Sequence, residues 1–342
     1  MTEPLDPKPP RTSGRRRSLL IGAAVLAVLL LATGSAGFYL SEHFGNNVDR
    51  VPNVFAPLDP ATRPPATGAL TFLLVGTDTR SESPTTGSLA NADIRAASIG
   101  GDHSDVLMIA RVDPSRTHAT VVSIPRDSWV DIPGHNLDKI NNAYAMGGPT
   151  LLIQTVEGLT DIRIDHLAVI DFAGFQSMVD AVGGIDMTIS PSTGGSSGQG
   201  VTHLDGAAAL RFLRQHDQVT DDDHAQREQA ALRALLGKAT SNGLFSDLKR
   251  LYRLMDATTQ SVDVDDTLTN GGLASLALEL RDLHASDIQF LRAPIGSVQG
   301  KGQQTIAYLD PRAADLWAAL RNGSSEVYVN QHHTDVLGTV TH

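Results

Sequence analysis

The stretch TFLLVGTDTR, residues 71–80, decides how this chain is read. Phe72, Leu73, Leu74 and Val75 form a bulky apolar run of the kind found in a strand covered on both faces. Gly76 breaks the run, and Thr77, Asp78, Thr79 and Arg80 follow. Two readings stand at this point. Asp78 caps a turn, or the strand end presents an acid and a base as part of a site, which is where α/β proteins build them.

The same pattern recurs outward from this strand. DVLMIARV (105–112), ATVVSI (119–124), HLAVIDF (166–172) and IDMTI (185–189) read as strands. GPTLLIQTVEGL (148–159) and AGFQSMVDAVGG (173–184) read as helices, the second with a glycine stop. Near-continuous apolar strands interleaved with helices predict an α/β domain with a covered sheet. Residues 207–216 and 223–240 are the next helices. Beyond 241 the pattern predicts helices, two or three weak strands, a last helix around 311–320 and a loose end over 332–342. Ser-, Thr-, Gly- and Ala-rich stretches at 80–104 and 190–200 read as surface loops.

With 342 residues, 41% of them hydrophobic, the chain can bury one large domain or two ordinary ones. It has no cysteine, which excludes disulfides, thiolate zinc sites and thiol catalysis. The net charge of −11 argues against nucleic acid as a partner. That charge is uneven. Residues 1–18 carry five cations against two acids, a +3 tail that leaves −14 for the remainder.

The basic tail stops at an uncharged apolar run, residues 19–40. Its 22 residues would span about 33 Å as a helix, enough for a bilayer core. Arg15, Arg16 and Arg17 keep the N-terminus cytoplasmic and predict a single-pass membrane protein with its main domain extracytoplasmic. The rival is a cleaved signal peptide, with Gly34, Ser35 and Ala36 near a cut; the run is long for that purpose. Residues 41–68, with five prolines and no apolar period, read as a Pro-rich linker. A core at 69–240 and a C-terminal part at 241–342 complete the expected division.

Four stretches carry candidate chemistry. GTDTR places Asp78 and Arg80 after a strand. HSDVLMIARVDP opens the next strand with Asp105. VSIPRDSW puts Arg126 and Asp127 after a strand-ending proline. LRFLRQHD and DDDHAQREQ supply Arg211, Arg214, His216, His224, Arg227 and Gln229 on two helices. Two acids at neighbouring strand ends suit a hard cation with oxygen ligands. Arginines nearby suit phosphate oxygens, which match the guanidinium fork. Together they describe a magnesium pyrophosphate. Each has a plainer reading: a turn cap for Asp78, a strand-edge acid for Asp105, a surface ion pair for Arg126–Asp127, a helix N-cap for Asp221–Asp223, a solvated face for Arg211 and Arg214.

The motifs GTDTR, HSDVLMI, SIPRD, DKINNAYAMGG and VGGID, in that order, resemble the LytR-CpsA-Psr family of membrane-anchored bacterial enzymes. The likeness covers residues 70–240. It implies a three-layer α/β/α sandwich and transfer of a polyprenyl-pyrophosphate-linked glycopolymer to a peptidoglycan hydroxyl. The polymer is an arabinogalactan, teichoic acid or capsule; Ala-, Arg-, Asp- and Gly-rich composition favours an actinobacterial type. The resemblance makes Asp78 and Asp105 ligands of magnesium or else manganese. It makes Arg126 a pyrophosphate-binding and catalytic residue, and aligns Lys139 with the family's basic residue before Ile-Asn. The helix pair would add Arg214, His216, His224, Arg227 and Gln229, with Arg80, to the pyrophosphate contacts. It departs from the family pattern by carrying His216 and His224 for arginines and Glu228 for a glutamine. A non-catalytic lipid- or glycan-binding protein, and a lipid-pyrophosphate pyrophosphatase, are the alternatives on the same fold.

Overall fold

A computed structural model describes residues 46–77, 86, 104–189, 200–214, 221–239, 248–301 and 304–336. The basic tail, the apolar run 19–40 and the start of the linker lie outside them.

The strands are β1 (Asp49–Val51), β2 (Leu70–Thr77), β3 (Ser104–Val112), β4 (Ala119–Ser123), β5 (Trp129–Ile132), β6 (Asn136–Lys139), β7 (His166–Asp171), β8 (Ile185–Ile189), β9 (Gly200–Leu204), β10 (Val262–Asp265), β11 (Ile288–Arg292), β12 (Ile295–Lys301) and β13 (Gln304–Leu309). The helices are α1 (Ile140–Thr160), α2 (Phe172–Ala181), α3 (Gly206–Arg214), α4 (Asp221–Ala239), α5 (Leu248–Thr259), α6 (Asn270–Glu279), α7 (Ala313–Asn322) and α8 (Ser325–Gln331). Seven strands form one mixed sheet in the order β1-β10-β7-β2-β3-β4-β11. The pairs β5–β6, β8–β9 and β12–β13 are separate hairpins, so the strand expected at 185–189 lies outside the main sheet.

Period-2 alternation sends the strand side chains to two faces. Leu73, Val75, Leu107, Ile109, Val122, Leu167, Val169 and Leu291 join a cluster with Ile140, Leu152, Ile153 and Val156 of α1 and Leu316, Trp317 and Leu320 of α7. Met108, Val121 and Phe290 point the other way, with Leu74, Val106, Leu232 and Leu236 packed against them. This is why the strands read as unbroken apolar runs. The helix α1 extends further back than expected, to Ile140, and turns at Gly147 and Gly148. Gly148 has φ +65°, and a Cβ on Gly147 would lie 2.6 Å from that of Leu151, so both positions need glycine.

Two stretches differ from the reading of the sequence. From Asp49 the Pro-rich stretch belongs to the domain. β1 pairs in parallel with β10, and Val51, Val54 and Leu58 are buried in the main cluster. Arg63 then meets Glu157 at 2.6 Å in a mostly buried ion pair and donates to the Ile164 carbonyl. Prolines hide such a segment, because three core contacts at irregular spacing show no period. At the other end, the chain is tied down as far as Val336. The Tyr328 hydroxyl donates to Asp335 at 2.7 Å, and Val336 bridges Leu291. Burial, ahead of the neighbouring Asp335 charge, pushes the Tyr328 phenol well above its ordinary range.

Candidate functional site

The strands β2, β4, β7 and β11 run in one direction and end at one edge of the sheet, where β1, β3 and β10 begin. Gly76 stands at that edge because a Cβ there would lie 2.7 Å from the Val106 Cβ. Just beyond it the pairing steps from Gly76↔Val106 to Thr77↔Ser104, so Asp105 falls in a β-bulge. Bulges re-aim side chains next to sites. Asp78 follows Thr77 directly, so the backbone at 105 lies within one ladder step of the backbone leading to 78. Ser104 is fully buried, and its hydroxyl makes no hydrogen bond. Asp78, Arg80 and the Asp105 side chain fall outside the described residues.

Next along the edge, β4 leads into Ile124-Pro125-Arg126. The Pro125 carbonyl accepts from both the amide and the hydroxyl of Ser128, at 3.0 and 2.6 Å. The carbonyls of Ser128 and Arg126 take up the first two amides of α1, from Ile140 at 2.9 Å and Asn141 at 3.2 Å. The turn bearing Arg126 is thereby fixed to a helix N-terminus. Lys139 reaches back to Asp127, with Nζ 2.7 Å from Oδ1. The pair is largely buried, which places the Lys139 ammonium under the Arg126 turn.

On the α4 face of the sheet the structure holds a cavity of about 210 Å³. Leu74, Val106, Met108, Ala168 and Ile170 form its floor, and Phe172, Phe175, Met178, Leu213 and Leu232 its walls. These residues were missed in the sequence, although the alternation in β3 and β7 marks the even-numbered members as a second face. Asp171 lies at the rim and caps α2, accepting from the Gly174 amide at 2.7 Å and the Thr86 amide at 3.2 Å. Thr86 also donates to the Ser261 carbonyl at 2.9 Å, which pins one point of the 78–103 stretch beside the cavity.

Of the helix pair's cations, Arg214 reaches a wall of this cavity, while Arg227 packs on a ring outside its lining. The Arg214 guanidinium lies 5.4 Å from the Phe172 ring, and the Arg227 guanidinium 5.2 Å from the Phe212 ring. Glu228 is buried and lines the cavity, as its stripe with Leu232 and Leu235 predicts. Gln229 turns to the sheet: it is buried, and its Nε2 donates to the Leu291 carbonyl at 2.7 Å. That amide group is committed to β11 and is absent from the cavity lining. His216 and the His224 side chain lie outside the described residues. Two further hollows, beside Arg111–Arg321 and beside Arg63–Glu157, contain none of the predicted residues.

A polar strand edge with arginines beside an apolar cavity makes this an α/β protein suited to an amphiphile with an anionic head. The LytR_cpsA_psr family model matches residues 47–322, and the chain belongs to that family. LcpB of Corynebacterium glutamicum, a probable cell wall biosynthesis protein, is 34% identical over 273 residues, 77% of this chain and 63% of LcpB. The chain spans 52% of LcpA, a cell wall biosynthesis protein of the same organism, at 30% identity. It covers 78% of a polyisoprenyl-teichoic acid–peptidoglycan teichoic acid transferase TagU from Oceanobacillus iheyensis, also at 30% identity. Among solved structures, TagT bound to LI-WTA superposes with a TM-score of 0.57 at 23% identity, covering 78% of this chain and 92% of that one. A LytR-Csp2A-Psr enzyme from Actinomyces oris gives 0.56 at 21%, covering 80% and 96%. The mixed α/β fold with its seven-stranded sheet is thus the family's.

Proposed function

We propose that this protein transfers a glycopolymer from a polyprenyl-pyrophosphate carrier to a peptidoglycan hydroxyl. The hydroxyl oxygen bonds to the glycan-linked phosphorus and gives up its proton to solvent, the pyrophosphate bridge breaks, and polyprenyl phosphate leaves with the bridging oxygen. The apolar cavity, with the Arg214 guanidinium over the Phe172 ring of its wall, carries the reading, since it offers a tail site and a head-group site side by side. The name of the TagU relative supports the substrate class, and that of LcpB supports a part in cell wall biosynthesis.

Phosphoryl transfer needs positioning and charge neutralisation more than covalent chemistry. Arg126, held on a turn fixed to α1, would neutralise the pyrophosphate. Arg214, over the Phe172 ring, would meet the head group at the mouth of the tail site, with Arg227 on the neighbouring helix. Lys139 sits beneath the Arg126 turn, where it balances Asp127. Asp78, the residue after β2, and Asp105, in the bulge of β3, would hold magnesium or manganese; the unbonded Ser104 hydroxyl would add a third oxygen of the type such ions prefer. When bound, that ion would neutralise charge developing on the pyrophosphate oxygens. Helices on both sheet faces, in a three-layer arrangement, keep the tail site dry. Residues 19–40 anchor the domain outside the cytoplasmic membrane, where the lipid carrier is found.

Incubation of the full chain with a synthetic polyprenyl-pyrophosphate saccharide, with and without an acceptor glycan, tests this. Acceptor-dependent glycan transfer is expected. Acceptor-independent release of sugar phosphate would mean a pyrophosphatase, and binding without turnover a carrier protein.

A further inference from the structure

α5 packs on α2 through one side and turns another side outward. Leu254 joins the cluster against which Phe175 and Met178 pack, and those two residues also line the cavity. On the outward side Tyr252 is 46% and Met255 40% exposed, one turn apart, with Lys249 and Arg253 exposed beside them. The segment carries Lys249, Arg250 and Arg253 against a single acid, Asp256, in a chain of net charge −11. Exposed apolar residues are ordinary when single. Elsewhere among the described residues, Leu278 precedes Glu279 and Val327 follows Glu326, while Met146, Val201 and Val298 have no charged neighbour in sequence. Among the described residues, α5 is where an exposed tyrosine and an exposed methionine share a surface with cations.

The position of the helix adds a second argument. α5 ends at Thr259 and β10 begins at Val262, opposite Ile170, on the edge that bears the site. β1 begins at the same edge, since Asp49 pairs with Asp263. The described chain starts three residues earlier, at Asn46. Five residues of sequence separate it from the uncharged run 19–40.

The geometry points to the Tyr252–Met255 face of α5 as a docking surface for an anionic lipid bilayer. Tyrosine favours the bilayer interface, and flanking Lys and Arg are attracted to acidic head groups. This rests on the reading of residues 19–40 as a membrane span only for its orientation. Docking there would set the cavity, one helix away, against the surface from which a lipid carrier has to enter.

The absence of cysteine permits single-site labelling. Tyr252→Cys, Met255→Cys, Val327→Cys and Ser41→Cys are each made in the full chain and labelled with a polarity-sensitive fluorophore. The proteins are reconstituted into vesicles of phosphatidylcholine with phosphatidylglycerol, with or without nitroxide-labelled lipid. Val327 on α8 is the control, because Ser325 bonds Thr120 near the opposite end of β4. Quenching at 252 and 255 at least threefold above that at 327 is expected. It should fall severalfold in pure phosphatidylcholine, in high salt and on Lys249→Glu with Arg253→Glu. Equal quenching at 252, 255 and 327 overturns the proposal, as does a blue shift without nitroxide quenching, which would mean a protein partner. The label at 41 reports the span separately: loss of its signal alone defeats the anchor and leaves the docking surface standing.

Discussion

Lys139 Nζ lies 2.7 Å from Asp127 Oδ1, joining the last residue of β6 to the residue after Arg126. Because both side chains are largely buried, removing one partner leaves the other uncompensated. Lys139→Ala is expected to destabilise the domain by roughly 3 kcal/mol. Lys139→Met with Asp127→Asn should recover most of that in urea melts. If Lys139 also contacts pyrophosphate, the double variant stays at least tenfold weaker in binding a lipid-pyrophosphate analogue. Full recovery of binding would confine Lys139 to holding the turn.

Asp78→Ala and Asp105→Ala should each abolish magnesium-dependent turnover while leaving thermal melting nearly unchanged. Asp105 falls in the bulge of β3, and Asp78 is the residue that follows β2 in the sequence. Loss of one electrostatic stabiliser predicts at least a ~100-fold fall in rate. Near-normal activity of either variant at limiting magnesium would remove that residue from the ion site.

Filling the cavity separates tail from head. Leu232→Trp adds bulk to one wall and should weaken binding of a long polyprenyl pyrophosphate by more than tenfold. Dimethylallyl pyrophosphate, which is too short to enter, should be unaffected. Equal losses for both ligands would show that the cavity does not take the tail.

Glu228 lines this cavity, and a carboxylate there repels an anionic head group unless it is paired. Opposite or like charges several ångströms apart in a partly buried site interact by about 2 kcal/mol. Glu228 already has an interaction partner, so Glu228→Gln is expected to tighten an analogue by less than the roughly tenfold or more that a bare carboxylate would give. His216 and His224 are the nearest titratable cations in the sequence to offset it, and unperturbed histidine loses its charge near pH ~6.5. Affinity should weaken from about pH 6 to 8, and His216→Arg with His224→Arg should flatten the dependence. A flat wild-type titration would exclude both histidines from the site.

Asp265, fully buried on β10, has a stability role with a definite sign. Burial alone would raise its carboxyl, but hydrogen bonds from His166, Thr267 and the Leu167 amide hold it below the usual range. A carboxyl lowered on folding contributes stability above its unfolded pKa of about 3.9, and loses it as pH falls through the folded value. Asp265→Asn should cost on the order of 1–3 kcal/mol at pH 7 and progressively less below pH ~4. A constant difference across that range would contradict the assignment.

The strands β2, β3, β4 and β7 were legible because each is covered on both faces and reads as an apolar run. The helices α2, α3 and α4 came within three residues at each end. β1 was not legible: three residues, DRV, bear no pattern, and it exists because β10 offers an edge. The edge cluster was legible as residue types at strand ends. The cavity was not, because its walls come from α2, α3 and α4, whose apolar stripes look the same whether they pack against a partner or leave a space. Gln229 shows the converse: its position was readable, but its bond to Leu291 depends on where β11 arrives.

The clamp of Arg63 on Glu157 turns the proline-rich stretch from slack into fastening. A chain cut near residue 68 would strip an edge strand from β10, take Val51, Val54 and Leu58 out of the interior, and strand a buried carboxylate without its cation. Any autonomous version of the domain therefore begins before Asp49. A pull applied at Asn46 would be met by the sheet itself, through β1 and its pairing with β10.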